Sequence, residues 1–318
     1  MRIFITGADG FIGQHMVERL KDKHELEFLN EDLRDHDKVG FQIRQFDPEI
    51  IVHLAARTEV EDSFYEQITF SEINYVGTVN LIEIAAALPN LENFVFASTM
   101  EVYGWQPISD LIRDGKAEGI IAFNEATPPN PNAPYAVAKY GCEKYLEYAH
   151  RSLGLPFTAI RQTNAYGRKD NDFFVTEQVI TQMLKNPKEI NLGYGEPYRN
   201  FIYIDDLLDA WETIINNPEE CAGEIFCLGP DNAIKIKDYV TLIAKKLDWT
   251  GHVNWNTKPS RPGEIYLLNS TNHKITSRLG WVPTIELSDG LDRTIANWKH
   301  ILENDLPYNI DRKFSKGK

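Results

Sequence analysis

Short runs of aliphatic, β-branched or aromatic residues recur through the first half of the chain, and stretches of helical pattern separate them. The runs lie at residues 2–6 (RIFIT), 25–30 (ELEFLN), 49–55 (EIIVHLA), 93–98 (NFVFAS) and 156–162 (PFTAIRQ). Strands that alternate with helices predict βαβ units and a parallel sheet. Runs that are apolar throughout are typical of strands buried on both faces. The pattern therefore predicts an α/β fold with a doubly wound parallel sheet of the Rossmann type.

The alternation of strands and helices becomes less regular beyond about residue 165, where turn-rich stretches such as 191–200 (NLGYGEPYRN) separate shorter elements. We predict a first domain over residues 1–165 and a smaller C-terminal α/β lobe over 166–318. Part of 200–228 is expected to return to the first domain. Residues 105–134 form a long Pro-rich excursion between a strand and a helix, and loops of this size are often functional.

Composition and charge exclude several classes of protein. The 318 residues are 42% hydrophobic and 25% charged, as in ordinary soluble domains. No apolar run approaches the ~20 residues that span a bilayer, and a strand that begins at Arg2 leaves no room for a signal peptide. A net charge of −14 argues against a nucleic-acid partner. We therefore expect a cytoplasmic protein.

The cysteines do not indicate a metal site or a disulfide framework. Cys142, Cys221 and Cys227 show neither the CxxC spacing nor the Cys/His spacing of zinc ligands. No metal is expected, and a reducing compartment suits three such thiols.

A glycine pattern follows the first strand directly and opens a helix. Gly7, Gly10 and Gly13 stand in GADGFIG, with Phe11 and Ile12 between the last two glycines. This spacing allows a tight turn and a close approach of the backbone to a pyrophosphate, while the helix N-terminus supplies N–H donors. An isolated glycine pattern would indicate only a turn. The strand before it and the helix after it favour a dinucleotide site.

Acidic residues follow the second strand, where dinucleotide-binding folds place a carboxylate on a ribose hydroxyl. The stretch contains Asn30, Glu31 and Asp32, and then Arg34. Acids without a basic residue immediately after the strand favour NAD over NADP. Arg34 keeps NADP as an alternative, and a solvated charged loop is the other interpretation of this stretch.

Tyr135 and Lys139 stand four residues apart in YAVAK, so they lie on one face of a helix. A lysine cation near a phenol lowers the phenol pKa from ~10 toward working pH, where the group can exchange a proton with a sugar hydroxyl. The spacing alone occurs often by chance. Together with the glycine turn and the polar end of the fourth run, ASTMEVYG (97–104), it predicts a catalytic site.

These motifs recur in one family in the same order. The chain resembles the extended short-chain dehydrogenases/reductases of the nucleotide-sugar epimerase/dehydratase family over essentially its whole length. The stretches that carry the resemblance are TGADGFIG (6–13), HLAARTEVEDSF (53–64), NYVGTVNLIEIA (74–85), ASTMEVYG (97–104), YAVAK (135–139), RQTNAYG (161–167), RNFIYIDDL (199–207) and RPGE (261–264).

The resemblance implies an NAD-dependent enzyme of carbohydrate biosynthesis that passes a nucleotide-diphosphate sugar through a transient 4-keto intermediate. The first domain would bind NAD and the second lobe the nucleotide sugar. The resemblance also implies a homodimer formed by two helices per subunit, including the helix that carries Tyr135.

The resemblance assigns roles to individual residues. Thr99, Tyr135 and Lys139 match the catalytic Ser/Thr, Tyr and Lys of the family, with Tyr135 as the acid/base. The implied cofactor contacts, beside the glycine turn, Tyr135 and Lys139, are Asp32, Leu33, Leu54, Ala55, Ala56 and Asn74. The implied substrate contacts are Arg57, Ser63, Thr99, Asn164, Arg199 and Arg261. For Arg199 and Arg261 a surface salt bridge is the competing interpretation.

Glu101 is the residue in ASTMEVYG that bears on the reaction. Family members that act at C5 or on a 4-keto uronate often carry this glutamate, so Glu101 is a candidate C5 base. If the strand stays extended, Thr99 and Glu101 point to the same side. Met100 stands where some dehydratases have an acid, which argues against a standard dTDP-glucose 4,6-dehydratase. A bond from Glu101 to nearby backbone is the non-catalytic alternative.

Several functions stay open at this point. The leading prediction is an epimerase or dehydratase of nucleotide sugars. The alternatives are a nucleotide-sugar decarboxylase and an NADPH-dependent ketone or aldehyde reductase of the same superfamily. A non-catalytic cofactor sensor need not keep Thr99, Tyr135 and Lys139, so their presence counts against it.

Overall fold

The strands of the first half begin and end close to the predicted runs. The structure, a computed structural model, describes residues 1–169, 171–257 and 259–308. Parts of the predicted second lobe, residues 170, 258 and 309–318, lie outside the described residues. In chain order the strands are β1 (Arg2–Thr6), β2 (Glu25–Phe28), β3 (Ile50–His53), β4 (Asn93–Ala97), β5 (Phe157–Gln162), β6 (Asn164–Tyr166), β7 (Glu189–Asn191), β8 (Tyr198–Arg199), β9 (Phe201–Tyr203), β10 (Glu224–Leu228), β11 (Ile234–Lys235), β12 (His252–Asn254) and β13 (Leu267–Leu268).

Helices connect these strands. They are α1 (Phe11–Leu20), α2 (His36–Phe46), α3 (Val60–Ser63), α4 (Gln67–Ser71), α5 (Gly77–Ala86), α6 (Pro107–Arg113), α7 (Pro134–Leu153), α8 (Val175–Lys185), α9 (Ile204–Ile215), α10 (Pro218–Cys221), α11 (Ile236–Lys246), α12 (His273–Leu279) and α13 (Leu287–Glu303). A π-helical turn, Glu72–Val76, precedes α5, and a 3₁₀ turn, Met100–Tyr103, follows β4. No described helix has the length and apolar character needed to cross a bilayer.

Within the described residues, six strands form the main sheet in the order β10-β5-β4-β3-β1-β2. Every pairing in this sheet is parallel. The prediction of a doubly wound α/β fold is confirmed. The carboxyl ends of β1, β3 and β4 lie side by side, because these strands are consecutive neighbours.

The central strands are buried on both faces, as their apolar runs predict. Side chains alternate along a strand. Ile3 and Ile5 of β1 therefore pack into one hydrophobic cluster with α1 and α9, whereas Phe4 packs into another with α5 and α7. The two clusters hold the sheet rigidly between its helical layers, so the strand ends are fixed supports for side chains.

The second half of the chain builds three small sheets, β11-β8-β13, β12-β7 and β6-β9. Several of its elements lie against the first half; among them, β10 pairs with β5 and α9 packs against α1. Residues 200–228 contain both. The domain boundary at residue 165 stays a prediction.

Candidate active site

The glycine turn joins β1 to α1 in a conformation that side chains would prevent. Gly7 has φ +73°, and a Cβ there would lie 2.6 Å from the backbone nitrogen of Ala55. A Cβ on Gly13 would lie 2.0 Å from the carbonyl oxygen of Gly7. The turn is therefore compressed between the exit of β3 and the first turn of α1, which is the arrangement that the spacing predicts.

The start of α1 has the donor set that a pyrophosphate needs. Gly10 is the N-cap, and within the described residues no side chain caps the helix and no acidic residue stands in its first turn. Phe11 and Ile12 are the first two residues of the helix. Such a helix start presents N–H groups and a positive dipole end. The residues present thus fit a dinucleotide, and NAD would be held here.

A buried chain of hydrogen bonds fixes the neighbouring loop after β3. The backbone nitrogen of Ala55 donates to Thr6 Oγ1 at 3.2 Å, and Thr6 Oγ1 lies 2.6 Å from Nδ1 of His53. His53 Nε2 lies 2.8 Å from Thr78 Oγ1. Burial, and then the Lys139 cation, hold the pKa of His53 well below its ordinary value. Residues 54–56, predicted to line the cofactor, are therefore held next to the glycine turn by an uncharged histidine.

Asn74 acts on this loop through the backbone. Its Oδ1 accepts from the Arg57 backbone nitrogen and its Nδ2 donates to the Arg57 carbonyl oxygen, both at 2.8 Å. The side chain is fully buried and belongs to the π-helical turn, a feature that is frequent at functional sites. Asn74 was expected as a cofactor contact. In the structure both polar ends of its side chain bind the loop.

Asp32 and Arg34 form an exposed ion pair after β2. Arg34 Nη2 lies 2.6 Å from Asp32 Oδ2, and Arg34 Nε donates to Asp32 Oδ1 at 2.9 Å. The hydrogen bonds from Arg34 lower the pKa of Asp32. Leu33 points the other way, into the core, where its Cβ would lie 2.8 Å from a Cβ on Gly77. The predicted acid is thus held in its charged state by Arg34.

The polar exit of β4 is a turn, not an extended strand. β4 ends at Ala97, and Thr99 caps the 3₁₀ turn by accepting from the Glu101 backbone nitrogen at 3.2 Å. The condition under which Thr99 and Glu101 point to the same side is therefore not met. Met100 is buried in a hydrophobic cluster with Tyr103 and Phe123, so an acid at position 100 would be buried among apolar side chains.

Thr99 and Tyr135 meet at this exit. Tyr135 lies in the first turn of α7 and is only 7% exposed. Burial, followed by the charge of Glu101, raises the pKa of Tyr135, and the neighbouring Thr99 hydroxyl opposes this. The sequence predicted that Lys139 would lower the pKa of Tyr135. In the structure the pKa of Tyr135 is raised instead.

Lys139 accounts for that difference. Its Nζ donates to the Ala97 carbonyl oxygen at 2.8 Å and lies 4.7 Å from the centre of the Phe96 ring. Burial lowers the pKa of Lys139 to about 8. The ammonium thus binds the backbone at the end of β4, one helical turn beyond Tyr135, and it stays mostly protonated at neutral pH.

A narrow cleft lies between the two halves of the chain, and two of its lining residues, Asn132 and Ala133, immediately precede the helix that carries Tyr135. It is lined by Val60, Phe64, Glu101, Asn132, Ala133, Arg199, Arg261, Gly263, Glu264 and Ile265. Burial raises the pKa of Glu101, Arg199 and Arg261 oppose this, and Glu264 adds to it. A carboxylate in this setting favours the protonated state more than a solvated one does, as suits a group that exchanges protons.

The two predicted diphosphate arginines differ in their surroundings. Arg199 Nη2 lies 2.9 Å from Glu264 Oε1, and its Nη1 donates to the carbonyl oxygens of Tyr198 and Ile265. Arg261 is exposed at the rim. Both line the cleft. For Arg199 the competing salt bridge is present, but it is partly buried and faces the cleft.

Other predicted substrate contacts have partners within the protein. Arg57 is paired with Glu66 and lies over the Phe70 ring. Ser63 is fully buried, and its hydroxyl donates to the Val60 carbonyl oxygen at 2.7 Å. Asn164 Nδ2 donates to the Asn200 carbonyl oxygen at 3.1 Å. Their roles toward a substrate stay predictions.

An ion pair that the sequence did not single out lies behind the exit of β4. Arg161 Nη2 lies 2.7 Å from Glu143 Oε2, and Ser98 Oγ donates to Glu143 Oε1 at 2.5 Å. Arg161 Nη1 also donates to Tyr103 OH at 3.1 Å. This buried network fixes the chain before and after Thr99, through Ser98 and Tyr103. The motif stretches ASTMEVYG and RQTNAYG contain three of its four residues, and this could have identified the network from the sequence.

The family follows from comparison with known proteins. A model described as the NAD dependent epimerase/dehydratase family matches residues 3–229. The chain belongs to this family. Within it the chain is 26% identical to the dTDP-D-glucose 4,6-dehydratase of Dictyostelium discoideum, over 98% of this chain and 84% of that protein.

Solved structures of the same family agree in fold. The UDP-glucose 4-epimerase of Thermotoga maritima, crystallised with UDP-glucose, gives a TM-score of 0.83 at 25% identity, covering 95% of this chain and all of that one. The UDP-glucose 4-epimerase of Thermus thermophilus, in complex with NAD, gives 0.83 at 26% identity, covering 94% and 99%. The prediction of an NAD-dependent epimerase/dehydratase-type enzyme is confirmed at the level of the family.

Two further carboxylates near the site were missed by sequence reasoning. Glu59 raises the pKa of Tyr135 by its charge, and Glu264 lines the cleft. Both lie within stretches that carried the resemblance, 53–64 and 261–264.

No cluster of His, Cys, Asp or Glu that could hold a metal ion is present in the described part of the chain.

Proposed function

We propose that the protein is an NAD-dependent nucleotide-diphosphate-sugar epimerase/dehydratase that acts through a transient 4-keto sugar. The buried neighbours Thr99 and Tyr135 carry this proposal, because they lie at the same sheet edge as the glycine turn and near a cleft with two arginines. An acid/base phenol next to a dinucleotide site is what oxidation of a sugar hydroxyl requires.

The residues that would hold NAD are the glycine turn, residues 54–56 and Asp32. Bound there, NAD supplies an acceptor that takes a hydride from the sugar and later returns it. The carboxylate of Asp32 suits a ribose hydroxyl, and Arg34 is already paired with it, which supports NAD over NADP. Asn74 would act indirectly, by holding the loop through Arg57.

Side chains of the protein are proposed to transfer the protons. Tyr135 takes the proton of the C4 hydroxyl and returns it, and the neighbouring Thr99 orients the phenol. Lys139, with a pKa near 8, supplies a cation one turn away that counterbalances the developing phenolate. Glu101 is the candidate base at C5, where the C4 ketone makes the ring proton acidic.

Arg199 and Arg261 are proposed to bind the diphosphate. Guanidinium groups match phosphate oxygens in a bidentate manner. Their position in the cleft, which Glu101 also lines, supports this. Asn164, on the neighbouring strand β6, is proposed to assist.

A single experiment tests the function and divides its branches. The purified enzyme is incubated with UDP-, GDP-, dTDP- and CDP-sugars in deuterated water, and the products are analysed by NMR. Deuterium at C5 with loss of the C6 hydroxyl identifies a dehydratase, whereas a C4 epimer without solvent deuterium identifies an epimerase. Loss of C6 as carbon dioxide would identify the decarboxylase alternative. Turnover of a small ketone with NADPH, and of no nucleotide sugar, would refute the proposal in favour of a reductase.

A homodimer is proposed through the outer face of α4, the π-helical turn and α7. This face exposes apolar side chains, namely Tyr65, Ile68, Tyr75, Val76, Val137 and Tyr148. α4 packs directly on α7, so these side chains belong to one surface. An apolar surface of this kind on a water-soluble domain is typical of a protein interface.

A further inference from the structure

We propose that Glu143 and Arg161 are positioning residues for the reaction, and that their buried ion pair sets the position of Thr99 relative to Tyr135. The inference rests on the proposed function, because it concerns the geometry of the acid/base in that function. It assigns a consequence for catalysis to an ion pair that would otherwise be only a part of the core.

Helix α7 binds the end of β4 at two consecutive residues. Lys139 Nζ donates to the Ala97 carbonyl oxygen at 2.8 Å, and Ser98 Oγ donates to Glu143 Oε1 at 2.5 Å. Tyr135, Lys139 and Glu143 follow one another at intervals of four residues and are all buried, so they lie on one face of the helix. The helix that carries the phenol therefore also holds the strand end that leads into the catalytic threonine.

Arg161, on the neighbouring strand β5, holds the Glu143 carboxylate in one orientation. Its Nε donates to Glu143 Oε1 at 3.0 Å and its Nη2 donates to Oε2 at 2.7 Å. Glu143 is fully buried, and Arg161 is only 3% exposed. A bidentate pair fixes direction as well as distance. Ser98 thus meets an acceptor whose position does not vary.

The same guanidinium binds the chain on the other side of the catalytic turn. Its Nη1 donates to Tyr103 OH at 3.1 Å, and Tyr103 OH donates to the Asn124 carbonyl oxygen at 2.8 Å. Because the phenol has a single proton, Cys227 Sγ, 2.8 Å away, is the donor in the remaining contact. The turn that contains Thr99 and Glu101 is therefore bound at both ends to one ion pair.

Stability alone does not explain an ion pair at this place. Two charges taken out of water lose about as much free energy as their attraction returns, and apolar side chains of similar volume are often equally stable in their place. Apolar side chains would offer neither an acceptor to Ser98 nor a donor to Tyr103. Groups that exchange a proton with a substrate need this direction, because a misplacement of ~1 Å can lower the rate ~10²-fold.

The test replaces the pair by apolar side chains of similar size, Glu143→Met together with Arg161→Met. Replacing both avoids an unpaired buried charge, which would destabilise the fold. Ser98→Ala breaks only the link to the carboxylate and leaves the ion pair intact. The control is Thr158→Val. It removes a fully buried hydroxyl of β5 that accepts from Asn93 Nδ2 of β4 at 2.8 Å, between the same two strands but at their opposite end.

For each protein, kcat and KM are measured with the nucleotide sugar that the wild type converts, and NAD affinity by fluorescence titration. We expect kcat to fall ~10²-fold in the double variant and ~10-fold in Ser98→Ala, while KM, NAD affinity and the Thr158→Val control stay close to the wild type. The Thr99 hydroxyl opposes the raised pKa of Tyr135. Its displacement should therefore also move the rise of kcat/KM with pH to higher pH in both variants.

A Ser98→Ala protein with the kcat of the wild type, or a folded double variant with that kcat, overturns the inference and leaves the proposed function intact. Equal losses of kcat and NAD affinity also overturn it, because they would indicate a general loss of structure. If the double variant does not fold, Ser98→Ala decides the question alone. A wild type that turns over no nucleotide sugar overturns both the inference and the proposed function.

Discussion

At the scale of single residues, Tyr135 is the group on which the proposed chemistry depends most. Its phenol is buried beside Thr99, so water cannot take over its proton transfer. We expect Tyr135→Phe to lower kcat by ~10²–10⁴-fold, the usual contribution of a general acid/base, while NAD affinity changes little. Steady-state kinetics and a fluorescence titration with NAD measure the two effects.

The control for this substitution is Tyr148→Phe on the same helix. Tyr148 is 45% exposed on the outer face of α7, so loss of its hydroxyl should leave kcat unchanged. Equal activity of Tyr135→Phe and the wild type would instead favour a non-catalytic, cofactor-sensing protein.

The buried carboxylate of Glu101 is expected to lower the free energy of unfolding of the protein. Its folded-state pKa is raised, chiefly by burial, so the charged form is less favourable in the folded protein than in the unfolded chain. Stability is therefore lost as pH rises from the ordinary glutamate range through the folded pKa. We expect Glu101→Gln to be more stable than the wild type at pH 8 by about 0.5–2 kcal/mol, and the difference to shrink toward pH 4.5.

Chemical denaturation at several pH values measures this difference. Glu92 is an exposed carboxylate just before β4, and Glu92→Gln should stay within about 0.5 kcal/mol of the wild type across the range, as surface substitutions usually do. A Glu101→Gln protein that is less stable than the wild type at pH 8 would mean that Arg199 and Arg261 stabilise the Glu101 carboxylate by more than its burial costs.

At the scale of elements, the junction of β1 and α1 is the least tolerant of change. A Cβ on Gly13 would lie 2.0 Å from the Gly7 carbonyl oxygen and 2.8 Å from Ala8, and backbone on both sides cannot move aside without opening the turn. We expect Gly13→Ala to cost roughly 1–3 kcal/mol of stability and to weaken NAD binding at least ~10-fold, measured by thermal unfolding and by titration with NAD.

Gly193→Ala is the matched control for that variant. A Cβ there meets no atom within 4 Å, and the backbone needs no positive φ. Both properties should be close to those of the wild type. If Gly13→Ala also binds NAD normally, the turn is not the pyrophosphate site.

The same junction illustrates what the sequence could predict. The strands β1, β3, β4 and β5 and the glycine turn depend on local patterns, namely apolar runs and glycine spacing, which can be recognised before any tertiary contact is known. The pairing of Thr99 with Tyr135 was accessible only through the resemblance, because 36 residues separate them. Local propensity contains no information about such a contact.

The errors arose where tertiary contacts decide the outcome. Thr99 and Glu101 were predicted to point to the same side only if the strand stays extended, but the chain forms a 3₁₀ turn there, with Met100 in the apolar cluster with Phe123. Lys139 was expected to lower the pKa of Tyr135, but the Ala97 carbonyl oxygen is available to its ammonium in the folded protein. Neither partner is adjacent in sequence, so no spacing rule could have found them.

At the scale of the whole molecule, the distribution of exposed apolar side chains is uneven. Ile68 on α4 is 76% exposed and Tyr65 beside it 75%, on the surface formed with α7. Burial of such side chains against a second copy stabilises an assembly by ~25 cal/mol per Å² of apolar surface, whereas exposure to water offers no gain. The same helix α7 carries Tyr135 and Lys139 on its inner face, so a dimer through its outer face would also restrict movement of the catalytic groups.

Ile68→Glu tests this assembly because it places a charge in the middle of the proposed interface. We expect the variant to be monomeric at micromolar concentration, by light scattering coupled to size exclusion, while the wild type is dimeric. Phe41→Glu is the control, since Phe41 is 69% exposed on α2, outside this surface, and should leave the dimer intact. If Phe41→Glu dissociates the protein and Ile68→Glu does not, the interface lies on the α2 side. If both variants and the wild type are monomeric, α7 is held in place by its own subunit alone.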